Sequence, residues 1–179
     1  MEELFDVCTP EGEPTGRLAP RSEAHRLGLW HRSSHLWVVN RQKEILLQRR
    51  HPGKQTDPGR WDIAVAGHLS AGQTPQQAMI REAQEELGLH LHPADLHFLG
   101  AYRKEYAEPG LIDREWQHLF AARWDGETAS LVLQPEEVVE VRWMTLEAFR
   151  KAVEGCDPAY VDRREDSADA FAWVESLEL

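Results

Sequence analysis

Three carboxylates, Glu82, Glu85 and Glu86, fall within five residues of the stretch QAMIREAQEELGL. On a helix, positions i, i+3 and i+4 share one face, so these groups crowd together and repel. A solvated surface helix normally intersperses charges of both signs. A hard divalent cation such as Mg²⁺ or Mn²⁺ removes the repulsion, because it prefers carboxylate oxygen. The chemistry that such a cluster supports is metal-assisted attack on an anionic substrate. Arg81 lies four residues before Glu85 and can fix that carboxylate from the side.

The surrounding residues supply the helix. Thr74 is an N-cap, Pro75 opens the first turn, and Gln77 stands where a capping box needs it. Gly88 follows the last turn as a left-handed C-terminal cap. Ile80, Ala83 and Leu87 form the apolar stripe that buries opposite the acids. Gly67 and Gly72 bracket the loop leading in, where backbone can approach a ligand closely. Short apolar runs predict strands at 5–7, 35–40, 44–48, 61–66, 96–102, 116–124 and 138–144, with a Pro/Gly-rich turn after the first, through Gly16. In the last of these Val139, Val141 and Trp143 are expected on one face. Thr145 caps a second helix over 146–154 that buries Leu146, Phe149 and Val153. A further helix is expected in the last twenty-five residues, ending AWVESLEL. Strands alternating with helices predict an α/β sandwich around a mixed β-sheet.

The stretch from Gly67 to Leu89 resembles the Nudix box. Gly67, Arg81, Glu82, Ala83, Glu85, Glu86, Gly88 and Leu89 all stand in register with that pattern. The resemblance implies the Nudix fold and hydrolysis of a diphosphate linkage with Mg²⁺ or Mn²⁺. It implies that Glu82 and Glu86 are core metal ligands, that Glu85 helps directly or through water, and that the carbonyl of Gly67 completes the shell. One position departs: Gln73 replaces the glutamate that braces the box arginine. Gln73 can still accept a hydrogen bond from Arg81, without a charge. Glu115 resembles either the family's distant fourth carboxylate, a ligand or base, or a glutamate of the family's isomerase branch that serves both metal and catalysis, and it is favoured over Glu105 and Glu108.

The flanks resemble the Nudix branch that contains type 1 isopentenyl-diphosphate isomerase. The phrase LLQRRHPGKQTDPGRWD carries that likeness. It implies that Arg50 and Lys54 bind the substrate diphosphate, and Arg forks and Lys point charges suit that task. His31 and His68 match positions where the isomerase holds a second metal, and His25 lies one residue out of register. Imidazole with carboxylate suits Zn²⁺, Mn²⁺ or Fe²⁺. The isomerase's proton-transferring cysteine is replaced here by Ala66, which has no proton to give. The intact Glu82, Glu85 and Glu86 set then favours hydrolysis over isomerisation. A sensor that binds a phosphorylated ligand without turnover is the remaining alternative.

Composition bounds the rest. The chain has 179 residues, enough for one domain, with its core expected near 33–154. A formal charge of −11 argues against a general nucleic-acid binder. No apolar run is long enough for a membrane span, and Cys8 and Cys156 show no metal or redox spacing. A cytoplasmic setting is therefore expected, and the resemblance leaves a homodimer open. The expected substrate is a small diphosphate: a nucleoside di- or triphosphate or nucleotide derivative first, an isoprenyl or thiamine diphosphate second. Trp30, Trp37, Trp61, Trp116 and Trp124 are aromatic platforms for a base or core residues, and Tyr102 and Trp116 border the expected cleft.

Overall fold

The computed structural model describes residues 2–178. Strands β1 (Leu4–Cys8) and β2 (Pro14–Pro20) form a two-stranded sheet that leads into helix α1 (Arg21–Leu27). The main sheet holds β3 (Trp30–Val39), β4 (Glu44–Arg50), β5 (Trp61–Ile63), β6 (Val65–His68), β7 (His97–Glu108), β8 (Leu111–Arg123) and β9 (Val138–Thr145). Helix α2 (Pro75–Leu87) follows β6, α3 (Leu146–Glu154) follows β9, and α4 (Ser167–Ser176) lies near the C-terminus. The strand path is β5-β4-β3-β8-β7, with β6 on β3 and β9 on β4. Only β3 and β8 run parallel, so the sheet is mixed.

Two apolar clusters cover the two faces. Leu36, Val38, Leu46, Met79, Ala83 and Leu87 pack α2 on one side. Trp37, Val39, Ile45, Leu47, Phe149, Phe171 and Val174 pack α3 and α4 on the other. The period of two along β3 sends alternate side chains to each cluster, which makes an α/β/α sandwich. The first half of β3 breaks this pattern. His31, Ser33, Ser34 and His35 are buried there although they are polar, which marks the end of the sheet that serves a site.

The sequence expectations are corrected in four places. The Pro/Gly-rich turn is confined to 9–13, and β2 begins at Pro14. Its exposed residues give no apolar run to read, and α1 is too short for a clear helical period. The strand expected at 61–66 is two strands that bend at Ala64 and change partner from β4 to β3. The β7–β8 hairpin extends well past both predicted strands, because its far half is polar on both faces. Val139 is exposed at a bulge opposite Arg49 and Arg50, so Val138, not Val139, joins Val141 and Trp143 in the core.

Candidate active site

Helix α2 is built as its sequence dictates. Thr74 Oγ1 accepts from the Gln77 amide at 3.2 Å, and Gln77 Oε1 accepts from the Thr74 amide at 3.0 Å. Gly88 closes the helix with φ of 65°. The acidic face then meets β6 at Gly67, where a Cβ would come within 2.8 Å of the Glu82 carboxyl carbon. Only glycine allows this approach. Arg81 donates to Glu82 at 2.7 Å, to Glu85 at 2.8 Å and to Gln73 at 3.4 Å. The uncharged brace is therefore in place, and Arg81 also serves two of the three carboxylates. Burial pushes the Glu82 carboxyl up, although Arg81 opposes it. Burial, with the charge of Glu82 added, lifts Glu86 to about 8. Gln48 is its hydrogen-bond donor, at 3.4 Å. A buried carboxylate with one weak donor is a site that a cation fits.

Consecutive residues of β6 point to opposite faces, so Gly67 borders Glu82 while His68 turns toward a second cluster. There His25, His31, His68 and Asp113 each bring one ligand-type atom within 4.8 Å of the others. Helix α1 supplies His25, β3 His31, β6 His68 and β8 Asp113. The Nε2 atoms of the three histidines and Oδ1 of Asp113 are buried without a hydrogen-bond partner. His31 Nδ1 donates to the Leu29 carbonyl at 2.9 Å, which leaves the Nε2 lone pair facing the cluster. Burial and mutual repulsion hold His25 and His31 down at about 4. Three imidazole Nε2 atoms and a carboxylate oxygen converging in one space are a donor set that fits a divalent transition metal. Phe5 stacks on His31 at 4.7 Å and on His68 at 4.9 Å, so the β1–β2 hairpin roofs the cluster.

Glu115 joins this group from β8. Its Oε1 lies 2.8 Å from His68 Nε2 and 3.9 Å from His31 Nε2. Its Oε2 accepts from Ser33 at 3.0 Å and from Gln117 at 2.8 Å. Burial works to raise this carboxyl, but His68 and His31 outweigh it and hold Glu115 well below the usual range. Asp113, one residue pair along the same strand, is raised to about 7 by burial and by Glu115. Asp113 was not singled out from the sequence. The available signal was the pair of acids at i and i+2 in DRE, which a strand places on one face.

A cavity of about 700 Å³ joins the two clusters. Gly67, Glu82, Glu85, Glu86, Glu115 and Arg81 line it, and so do His25 and His68. Arg50 lines it from the end of β4, Lys54 from the loop that follows and Tyr102 from β7, while His31 and Gln73 are not among the lining residues. Arg50 donates to the Thr56 carbonyl at 3.0 Å and stands 3.7 Å from Asp62. Lys54 pairs with Glu137, a second acid that the sequence reading passed over. Tyr102 is tied through its hydroxyl to Asp169 of α4. Among the lining residues the aromatics are Tyr102 and Tyr106, and none of the tryptophans. Trp37 is core, Arg103 covers Trp30, Arg142 covers Trp61, Trp124 stacks on Trp143, and Trp116 donates to Pro10. The segment carrying Trp116 does border the cavity through Glu115 and Gln117, while Trp116 itself is not among the lining residues. Glu105 reaches the cavity rim paired to Arg103 and Arg114, and Glu108 accepts from Tyr106 outside it.

Comparison with known proteins bears on this geometry. The family model for the NUDIX domain matches residues 29–163. Nudix hydrolase 3 of Arabidopsis thaliana is 38% identical over 165 residues, covering 89% of this chain, which spans 21% of the plant protein. An isopentenyl-diphosphate Delta-isomerase of Escherichia coli is 28% identical over 155 residues, covering 86% of this chain and 83% of the isomerase. A crystal structure of a Deinococcus radiodurans protein superposes with a TM-score of 0.71 at 24% identity, covering 91% of this chain and 96% of that one. Among the described residues no helix is long and apolar enough to cross a membrane. The box glycine pressed against Glu82, the acidic face of α2 and the matched family model agree: the chain belongs to the Nudix hydrolase family, enzymes that cleave pyrophosphate linkages.

Proposed function

We propose that this protein hydrolyses the diphosphate linkage of a small phosphorylated substrate, a nucleoside di- or triphosphate or a nucleotide derivative. The observation that carries the reading is one cavity shared by the carboxylates of α2 and the basic loop of Arg50 and Lys54. Glu82, Glu85, Glu86 and the Gly67 carbonyl would hold Mg²⁺ or Mn²⁺. His25, His31, His68, Asp113 and Glu115 would hold a second cation. When bound, these ions supply neutralisation of phosphate oxygens and a more acidic water.

The chain's own groups do the rest. Arg50 and Lys54 orient the diphosphate, and their present partners, Thr56 and Glu137, yield to the more strongly charged phosphate oxygens. Arg81 keeps Glu82 and Glu85 in position and limits their mutual repulsion. The low proton affinity of Glu115 suits a ligand better than a general base, since a base works best near the operating pH. In the reaction, water oxygen bonds to one phosphorus, the bond from that phosphorus to the bridging oxygen breaks, and the water's proton passes to a carboxylate of the cluster. Ala66 lines the cavity with no exchangeable proton, which removes the isomerase step.

The test is Glu86→Gln in a panel of diphosphates with Mg²⁺ or Mn²⁺. The variant keeps the fold and loses turnover by at least about a hundredfold, the scale of losing a group central to the chemistry. Near-wild-type phosphate release from it would remove Glu86 from the site. Tight binding by the wild type without product would make the protein a sensor.

A further inference from the structure

The last quarter of the chain contributes a wall to the cavity that the mechanism above leaves unused. Val161, Asp162, Arg163, Glu165 and Asp166 all line it. This segment is laid along β5: the Val161 amide donates to the Trp61 carbonyl at 2.9 Å, and the Trp61 amide to Ala159 at 2.8 Å. Its anchor is Arg163, which is buried. Arg163 forks onto both oxygens of Asp62 at 2.8 Å each, and its remaining nitrogen lies 2.8 Å from His35 Nδ1 and 3.4 Å from Asp166. Arg50 approaches the same Asp62 at 3.7 Å.

Buried ionic networks of this kind contribute little net stability, because desolvation offsets their attraction. Their use is to fix geometry. His35 Nδ1 faces Asp166 Oδ2 at 3.6 Å as well, but Arg163 is nearer at 2.8 Å and a guanidinium only donates, so Nδ1 accepts from it and the ring proton is assigned to Nε2. His35 lines the cavity, and its contact with Arg163 is made through Nδ1, which leaves Nε2 for a ligand. Its Cα pairs across the ladder with Ala66, next to Gly67 of the acidic site. A donor of fixed tautomer thus stands one residue from the position where a diphosphate would be held.

We propose that His35 is a substrate-contacting residue and Arg163 its positioning residue, making the C-terminal wall a reader of hydroxylated organic groups on a diphosphate. The proposal rests on the reading that the cavity binds diphosphates. A hydrocarbon tail laid against His35, Asp162 and Gln117 would strip water from polar groups and give nothing back. Hydroxyl groups return those hydrogen bonds, and sites built for a hydroxyl reject analogues that lack it.

The experiment is calorimetric binding of two non-hydrolysable probes with Mg²⁺, a ribosyl methylenebisphosphonate and a geranyl methylenebisphosphonate. The wild type binds the ribosyl probe at least about tenfold more tightly than the geranyl probe. His35→Ala loses most of that preference, and His35→Gln, whose amide can donate from the Nε2 position, restores part of it. Nitrogen NMR of the His35 ring shows the proton on Nε2 in the wild type and a mixed tautomer in Arg163→Lys, which cannot fork. Thermal melts establish that each variant is folded. Equal or tighter geranyl binding by the wild type, binding of neither probe, or an unchanged preference in folded His35→Ala overturns the proposal. Ribosyl preference without hydrolysis of the parent diphosphate leaves the proposal standing and refutes the hydrolase reading instead.

Discussion

Glu86 is a buried carboxylate whose environment has a plain consequence for pH. Its pKa of about 8 in the fold exceeds the ordinary carboxylate value of 4.5, so the folded chain retains a proton that the unfolded chain has lost. Stability therefore falls as pH rises between those values, and levels off above the higher one. His25 and His31 act in the opposite sense lower down, since their depressed values near 4 make stability rise with pH up to the usual histidine range. Above about pH 6.5, where an unperturbed histidine has lost its charge, the carboxylate terms alone remain. With chelator present, the wild type should lose about 1 kcal/mol relative to Glu86→Gln between neutrality and mild alkali. Denaturant melts at several pH values measure this, and parallel curves would mean that Glu86 titrates normally. At the second cluster, His31→Ala should weaken Zn²⁺ or Mn²⁺ binding by at least about tenfold. Metal analysis after dialysis reads the loss, and equal metal content in both proteins would make the three orphaned nitrogens incidental.

At the scale of elements, α2 and β6 have to meet without a side chain between them. Gly67→Ala places a methyl group 2.8 Å from the Glu82 carboxyl carbon, so the Glu82 carboxylate must swing away from its place. Activity should fall by roughly a hundredfold, as an ångström-scale misplacement does, with a melting temperature close to wild type. Full activity in that variant would show that the approach is not needed. Much of this pair was legible beforehand: Thr74, Pro75, Gln77 and Gly88 declare the helix, and the spacing of Glu82, Glu85 and Glu86 declares its working face. What stayed hidden depends on contacts distant in sequence. Strand β2 and helix α1 have exposed or short patterns, yet α1 delivers His25 to the second cluster and β1 delivers Phe5 as its roof. Val139 was misplaced because a bulge slips the register by one residue, which local alternation cannot reveal. Asp113, Glu137 and Arg163 lack a motif, since each gains its meaning from a strand, loop or helix folded back from elsewhere.

For the whole molecule, the charge of −11 and an anionic substrate set a problem that local groups must solve. The cavity solves it by pairing nearly every acid at its rim with a base, as in Lys54 with Glu137 and Lys104 with Glu165, so that the far field is screened where substrate enters. The family and the sandwich were readable from one box of residues, while the substrate's organic group was not, because sequence alone does not separate a tryptophan platform from a packed one, and the tryptophans are used elsewhere in the fold. Everything turns on whether the carboxylates of α2 and the basic loop act together on a P–O–P linkage. The direct measurement is phosphate or monophosphate release from a diphosphate panel, for wild type and Glu86→Gln, with and without Mg²⁺. The account predicts turnover by the wild type only when the ion is added, and almost none by the variant. Release that persists in chelator, or equals wild type in Glu86→Gln, would contradict it.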